Sequence, residues 1–437
     1  MVNANFNMIR IHAHIDRKEL HEIASEKGIL IWQDFPLQWY YNKTVLKSAK
    51  DQTKHIVNQL KNYPSQGIWC CHNEPFKIPT KNEIIKLLSL IICSIFFYIG
   101  LNFLFNLYLS LPITISKICS IIITLTIFIG ISLIFDLIPT VLFYNWNINI
   151  LDKKIADLIS KLDPDHPVLK ASGLLGRTDL HWYDGWYFNP GKYWKANKFS
   201  KKFLKCFTPF VTEYGAQSFP NVESLEKFKI NLKWPFNEET WLNLKKNFRC
   251  QSNIVKKIFK INSFKTLDDF IHATQQYQSY LLKFHNELWR KLRYNPTGGA
   301  ICFLFNDCAP LITWSVIDYF RKPKLAYESV SLSFEPLYAL LSKWPRKFKK
   351  NSLFKNSILL INDYLHDVHD INIKFVVKSP TNTILENNYD CNIKADSIIQ
   401  IDQLKFIIPN EIGEYTLDIY LSSENNSILN SYKFIVN

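Results

Sequence analysis

The sequence lacks the marks of several common protein classes. Residues 1–10 contain no basic region leading into an apolar run, so no secretory signal is expected there. Its nine cysteines are Cys70, Cys71, Cys93, Cys119, Cys206, Cys250, Cys302, Cys308 and Cys391, and they show neither paired metal-ligand spacing nor a compact disulfide framework. Their odd number, with several inside apolar runs, points to structural thiols in a reducing compartment. No nucleic-acid motif, internal repeat or low-complexity linker is present. Charged residues make up only 21% against 47% hydrophobic, a balance that excludes intrinsic disorder. Lysine and arginine outnumber the acids 52 to 38, but they are dispersed. The densest run, Arg346, Lys347, Lys349 and Lys350, falls where one domain hands over to the next, so the excess reads as solvated surface rather than a nucleic-acid footprint.

A chain of 437 residues suggests two or three domains. The first third alternates. Asn7–His12, Ile29–Trp32 and Ile68–Cys71 read as short apolar strands, separated by helices from Asp16 to Lys27 and from Thr44 to Asn62. Strand, helix, strand in this rhythm implies parallel pairing with right-handed crossovers. Two apolar stretches, Leu87–Leu109 and Ile118–Phe135, then interrupt it, each long enough to cross a bilayer. A barrel core filled by its own strands has no room for two wholly apolar helices, which predicts a transmembrane hairpin. The alternation resumes with a helix over Ile150–Leu162 and strands at His166–Ala171, Phe210–Thr212 and Ala300–Phe305, with a long helix over Leu267–Leu292. From about Asn356, period-two runs between polar turns predict a β-sandwich. The expected fold class is thus α/β: a TIM-type barrel over residues 1–84 and 146–345, a membrane hairpin over 85–145, and an immunoglobulin-like sandwich over 350–437.

Cleaving a glycosidic bond with retention needs two carboxyl groups, one to attack the anomeric carbon and one to protonate the leaving oxygen. Glu74 and Glu213 each lie just past an apolar strand, the position where barrel active sites are built. Taken singly, either could be a helix cap or a surface group.

The surrounding motifs resemble glycoside hydrolase family 2, and within it the β-mannosidase-like members. Asn7-Met-Ile-Arg-Ile-His-Ala-His, Gly28-Ile-Leu-Ile-Trp-Gln-Asp-Phe-Pro and Ile68-Trp-Cys-Cys-His-Asn-Glu-Pro are similar to three successive barrel strands of that family. Asp179-Leu-His-Trp-Tyr-Asp-Gly-Trp-Tyr is similar to its aromatic loop, and Thr212-Glu-Tyr-Gly-Ala-Gln-Ser-Phe-Pro to its nucleophile segment. Gly298-Gly-Ala-Ile-Cys-Phe-Leu-Phe-Asn-Asp, Thr313-Trp-Ser-Val-Ile-Asp-Tyr and Pro323-Lys-Leu-Ala-Tyr resemble the barrel exit. The resemblance runs from about residue 5 to 345, outside the hairpin. It implies a retaining exo-β-glycosidase acting on β-mannosides, with Glu74 as acid/base and Glu213 as nucleophile. Asn73 would bond the sugar 2-hydroxyl, and Arg10 would hold the nucleophile ionised. Asp34, His181, Trp182, Trp186 and Trp314 would line the sugar pocket. No metal or organic cofactor is implied.

Two departures stand out. The chain opens on what resembles the second barrel strand, which leads to the expectation of a second chain supplying the first strand and β-domains, or of a partial, inactive carbohydrate-binding scaffold. Ala309 stands where the family pattern has tryptophan. The hairpin adds a lipid bilayer as partner. Lys77, Lys81, Lys86, Lys153 and Lys154 flank it against Lys117 between the spans, which predicts a cytoplasmic catalytic part. Against a transport role, the spans hold only Asp136, at the edge of the second, as a charged group, too little for an ion path.

Overall fold

The computed structural model describes residues 1–75, 81–108, 112–134, 146–173, 179–195, 209–230, 232–424 and 426–437. Lys77, Leu109, Phe135, Asp136 and Cys206 lie outside them. No disulfide joins the described cysteines. The chain forms two compact units, one of residues 1–10, 23–30 and 173–437, the other of residues 11–22 and 31–172.

The second unit holds three parallel strands, β2 (Leu30–Asp34), β3 (Gln66–Cys70) and β4 (Val168–Leu169). Asp34 sits opposite Cys70, and Cys70 opposite Leu169. Helix α1 (Lys18–Glu26) precedes β2 in the chain, and α2 (Val45–Leu60) crosses from β2 to β3. Ala49, Thr53, Ile56, Val57 and Leu60 recur at helical spacing on the buried side of α2, which packs with Phe35, Trp69 and Leu151. Two long helices follow, α3 (Lys81–Tyr108) and α4 (Ile113–Ile134), both starting earlier than the apolar stretches alone suggest. Each is long and apolar enough to cross a membrane, and no residue of Leu88–Tyr108 is buried. Asn147–Asp152 then forms a π-helical turn leading into α5 (Lys153–Leu162), whose Ile155, Ala156 and Ile159 close the core.

In the other unit, β1 (Met8–Ile11) contributes Arg10, while β5 (Leu180–His181), β6 (Phe210–Glu213) and β7 (Gly299–Ala300) pair in parallel. The long helix Leu267–Lys291 begins with a capping box in which Thr266 and Asp269 satisfy each other's backbone amides. Its Gln278 carboxamide donates to the carbonyls of Ala216 and Trp314 at 2.9 and 2.8 Å and accepts from the Ser218 hydroxyl at 2.7 Å. One side chain thus ties two loops to the helix.

Its His285 is completely buried against Tyr214, Phe284 and Trp289, and among the described residues neither ring nitrogen has a hydrogen-bond partner. Burial pushes the imidazole pKa down to about 3. An unfolded histidine titrates near 6.5, so as pH falls from there toward 3 the unfolded chain takes up a proton that the folded one refuses. Stability should therefore drop by up to roughly 1.4 kcal/mol per pH unit in that window. His285→Phe is expected to narrow the gap between urea midpoints at pH 7 and pH 4.5; an unchanged gap would assign the acid sensitivity elsewhere.

The sandwich packs a sheet of order β13-β10-β8 on one of order β12-β11-β14-β15-β9. Its strands are β8 (Leu337–Leu341), β9 (Lys347–Phe348), β10 (Leu353–Asn362), β11 (Val368–Lys378), β12 (Thr383–Ile393), β13 (Ser397–Ile407), β14 (Gly413–Ser423) and β15 (Asn426–Val436). It recruits β8 upstream of the expected start at residue 350. All five residues of β8 are buried, so the run lacks the alternation that marks the other strands. The hydroxyls of Tyr338 and Tyr432 both donate to Glu287 of the long helix, at 3.0 and 2.8 Å.

Candidate active site

Glu213 closes β6, at the carboxyl end of its parallel sheet, opposite His181 of β5. Its carboxylate is almost wholly enclosed, and Arg10, Tyr183 and His181 are among the side chains that meet it. Arg10 donates to Oε1 at 2.9 Å, the Tyr183 hydroxyl donates to Oε2 at 2.9 Å, and His181 Nδ1 lies 3.5 Å from Oε2. His181 Nε2 is 3.5 Å from the Arg10 guanidinium. Arg10 and Glu213 have side chains only 3% and 7% exposed, so each charge compensates the other and water screens the pair little. The carboxylate is thereby fixed in orientation.

Local sequence explains why the strand reaches this point. The Thr212 hydroxyl donates to buried Asp179, which also accepts the Gly173 amide at 3.1 Å, and the Glu213 carbonyl accepts the Trp182 amide at 2.7 Å. At Gly215 a Cβ would fall 2.5 Å from the Phe303 carbonyl oxygen, so only glycine admits that backbone so close to the candidate nucleophile.

The aromatic residues divide by exposure. Trp314 is half-buried among Tyr183, Tyr187 and Phe303, with ring centroids 6.2, 6.3 and 5.6 Å away, and Tyr187 is exposed. Trp182 is also half-buried, edge-on to Trp289. Trp186 differs from the expected sugar wall. It is completely buried and donates its indole N–H to Gln251 at 2.6 Å, so it has no face to offer a ligand and packs beneath the others.

The remaining residues lie in the other unit. Asp34 ends β2, fully buried, with Oδ1 accepting the Trp32 indole at 2.9 Å and Oδ2 the Ala13 amide at 3.4 Å. Asn73 bridges the backbones of Gln38 and Ser172. Glu74, half-buried, follows with a left-handed φ of 47° and its amide bonded to the Ser172 carbonyl at 3.0 Å. Among the residues expected to serve the site, the structure brings Arg10, His181 and Glu213 into direct contact, and sets Asn73 and Glu74 just beyond β3.

Tyr183 was not singled out by sequence reasoning. The only available signal was its place in the aromatic segment, two residues beyond His181, where several aromatics compete for notice.

Parallel β/α elements carrying Glu213 at one strand end and Glu74 just beyond another, together with a β-sandwich, place the chain in the α/β class. Comparison with known proteins makes it particular. No protein-family profile matches the chain. It is 22% identical over 333 residues to β-mannosidase B of Emericella nidulans, covering 73% of this chain and 34% of that protein. With β-mannosidase of Bos taurus the identity is 24% over 373 residues, 77% of this chain and 36% of the relative. Among solved structures, β-D-mannosidase from Dictyoglomus thermophilum matches 99% of this chain and 46% of its own, with a TM-score of 0.65 at 19% identity. An exo-chitosanase of Amycolatopsis orientalis matches 99% and 45%, with a TM-score of 0.60 at 14% identity. The chain carries a domain like the catalytic domain of glycoside hydrolase family 2, with the TIM-barrel and β-sandwich fold of those enzymes. It spans about a third of the length of the curated relatives it matches.

Proposed function

We propose that the protein is a retaining exo-β-glycosidase that removes terminal β-mannosyl residues. The observation that carries this reading is the enclosed Glu213 carboxylate, aimed by Arg10, Tyr183 and His181 at the end of its strand. Likeness to β-mannosidases supports the choice of sugar.

In this mechanism Glu213 attacks the anomeric carbon while Glu74 gives its proton to the departing oxygen, so that a glycosyl ester forms as the glycosidic bond breaks. Glu74, now a carboxylate, takes a proton from water. The water oxygen bonds to the anomeric carbon, the ester breaks, and Glu213 returns as a carboxylate. Asn73, His181, Trp182 and Trp314 would contact the sugar. The reading predicts that the chain cleaves p-nitrophenyl β-D-mannoside in preference to the β-galactoside, β-glucuronide and β-glucosaminide. Proton NMR of the first-formed sugar should show the β-anomer. Release of the α-anomer would overturn retention, and preference for another glycoside would overturn the mannoside assignment.

The hairpin is read as a membrane anchor. Phe96, Phe103 and Ile122 are 69, 64 and 58% exposed, part of a continuous apolar surface far larger than water tolerates on a folded domain. The excess of lysines at its outer ends supports a cytoplasmic catalytic part. Carbonate-washed membranes should retain the protein; recovery in the soluble fraction would mean that another protein surface covers α3 and α4.

A further inference from the structure

Directly before Asn73 and Glu74 stands a buried pair that the mechanism above does not use. His72 Nδ1 lies 2.8 Å from Asp152 Oδ1, and both side chains are fully excluded from water. His72 Nε2 and Asp152 Oδ2 find no hydrogen-bond partner among the described residues. Burial of polar atoms without partners costs stability, so a half-satisfied pair kept in a core calls for an explanation beyond packing.

The surroundings supply one. Backbone bonds pin the main chain of residues 72–74 from two sides: the Ser172 amide to the His72 carbonyl at 2.8 Å, the Asn73 amide to the Leu37 carbonyl at 2.9 Å, and the Glu74 amide to the Ser172 carbonyl at 3.0 Å. Glu74 is held with φ at 47°, a left-handed conformation that a residue bearing a Cβ adopts at a cost and keeps only where neighbours impose it. The His72–Asp152 contact adds a side-chain restraint to this segment. Its far end is itself fastened, because Asp152 lies on the π-helical turn whose Asn147 carboxamide bonds the Tyr41 backbone in both directions, each at 3.1 Å.

We propose that Asp152, acting through His72, is a positioning residue that holds Glu74 in the orientation needed to protonate the leaving group. The inference rests on Glu74 being the acid/base. Loss of the restraint should matter where proton donation limits the rate and matter little where the leaving group departs unaided.

The experiment compares the full-length protein in membranes with its Asp152→Ala, Asp152→Asn and His72→Gln variants, rates being normalised to the fraction of active enzyme. Asp152→Ala should lose at least about tenfold in kcat/KM on methyl β-mannoside, while kcat/KM for 2,4-dinitrophenyl β-mannoside, which reports only formation of the glycosyl ester, stays near the parent value. Asp152→Asn, which keeps an acceptor for the His72 N–H, should recover most of the loss. Should Asp152→Ala fail to fold, His72→Gln carries the same comparison. Equal losses on both substrates would overturn the proposal, since a merely structural role lowers both alike. Glu74→Ala run alongside separates the two claims. If it discriminates between leaving groups and the Asp152 and His72 variants do not, only the positioning role falls; if it does not discriminate, the acid/base assignment falls with it.

Discussion

Replacing Glu213 by Gln is expected to abolish hydrolysis of p-nitrophenyl β-D-mannoside, by roughly 10⁴-fold or more, the scale of loss when an attacking group is removed from an otherwise intact site. The amide is nearly isosteric and retains a carbonyl oxygen for the Arg10 guanidinium, 2.9 Å from Oε1. On the other side the Tyr183 hydroxyl can rotate to accept from the new amide nitrogen. Arg10, only 3% exposed, then loses the charge of Glu213, so a modest fall in stability, about 1–3 kcal/mol, should accompany the kinetic effect. The fold should survive that cost, and a cooperative thermal transition would verify it. Turnover at the parent rate in a folded Glu213→Gln protein would remove the nucleophile assignment.

Glu74→Ala should behave differently. General acid catalysis is worth about 10²–10⁴-fold, and its share depends on how much help the leaving group needs. Hydrolysis of an alkyl β-mannoside should fall by that order, while an activated aryl mannoside still forms the glycosyl ester. Water then attacks that ester slowly for want of a base. Azide needs no base and should restore part of the turnover, giving a β-mannosyl azide detectable by mass spectrometry. Failure of azide to accelerate the variant on the activated substrate would count against the role. Together the two substitutions separate attack from proton transfer.

Much of this was legible along the chain. Each short apolar strand leading to Asp34, Glu74 or Glu213 announced itself through local composition, and α2 and α5 through helical spacing of Ile, Leu and Val. The apolar stretches of α3 and α4 stood out by length alone, although their starts lie several residues earlier because polar residues can open a helix as readily as apolar ones. Less was legible where burial is uniform. Leu337–Leu341 has no alternation, and its membership of the sandwich depends on the strands that cover both of its faces. Trp186 and Trp314 look alike in sequence; only packing makes one inaccessible and leaves the other partly open.

The sequence by itself determined the types of residue available for chemistry and the strand ends that carry them, because strand period, helix period and turn composition are local properties. Tertiary structure decided which of those residues meet. Arg10 and Glu213 are 203 positions apart, and His72 and Asp152 are 80 apart with two long apolar helices between them. No local pattern encodes such pairings: they exist only once distant strands and turns share a core, where excluding water leaves each buried charge or polar atom dependent on the few partners within reach.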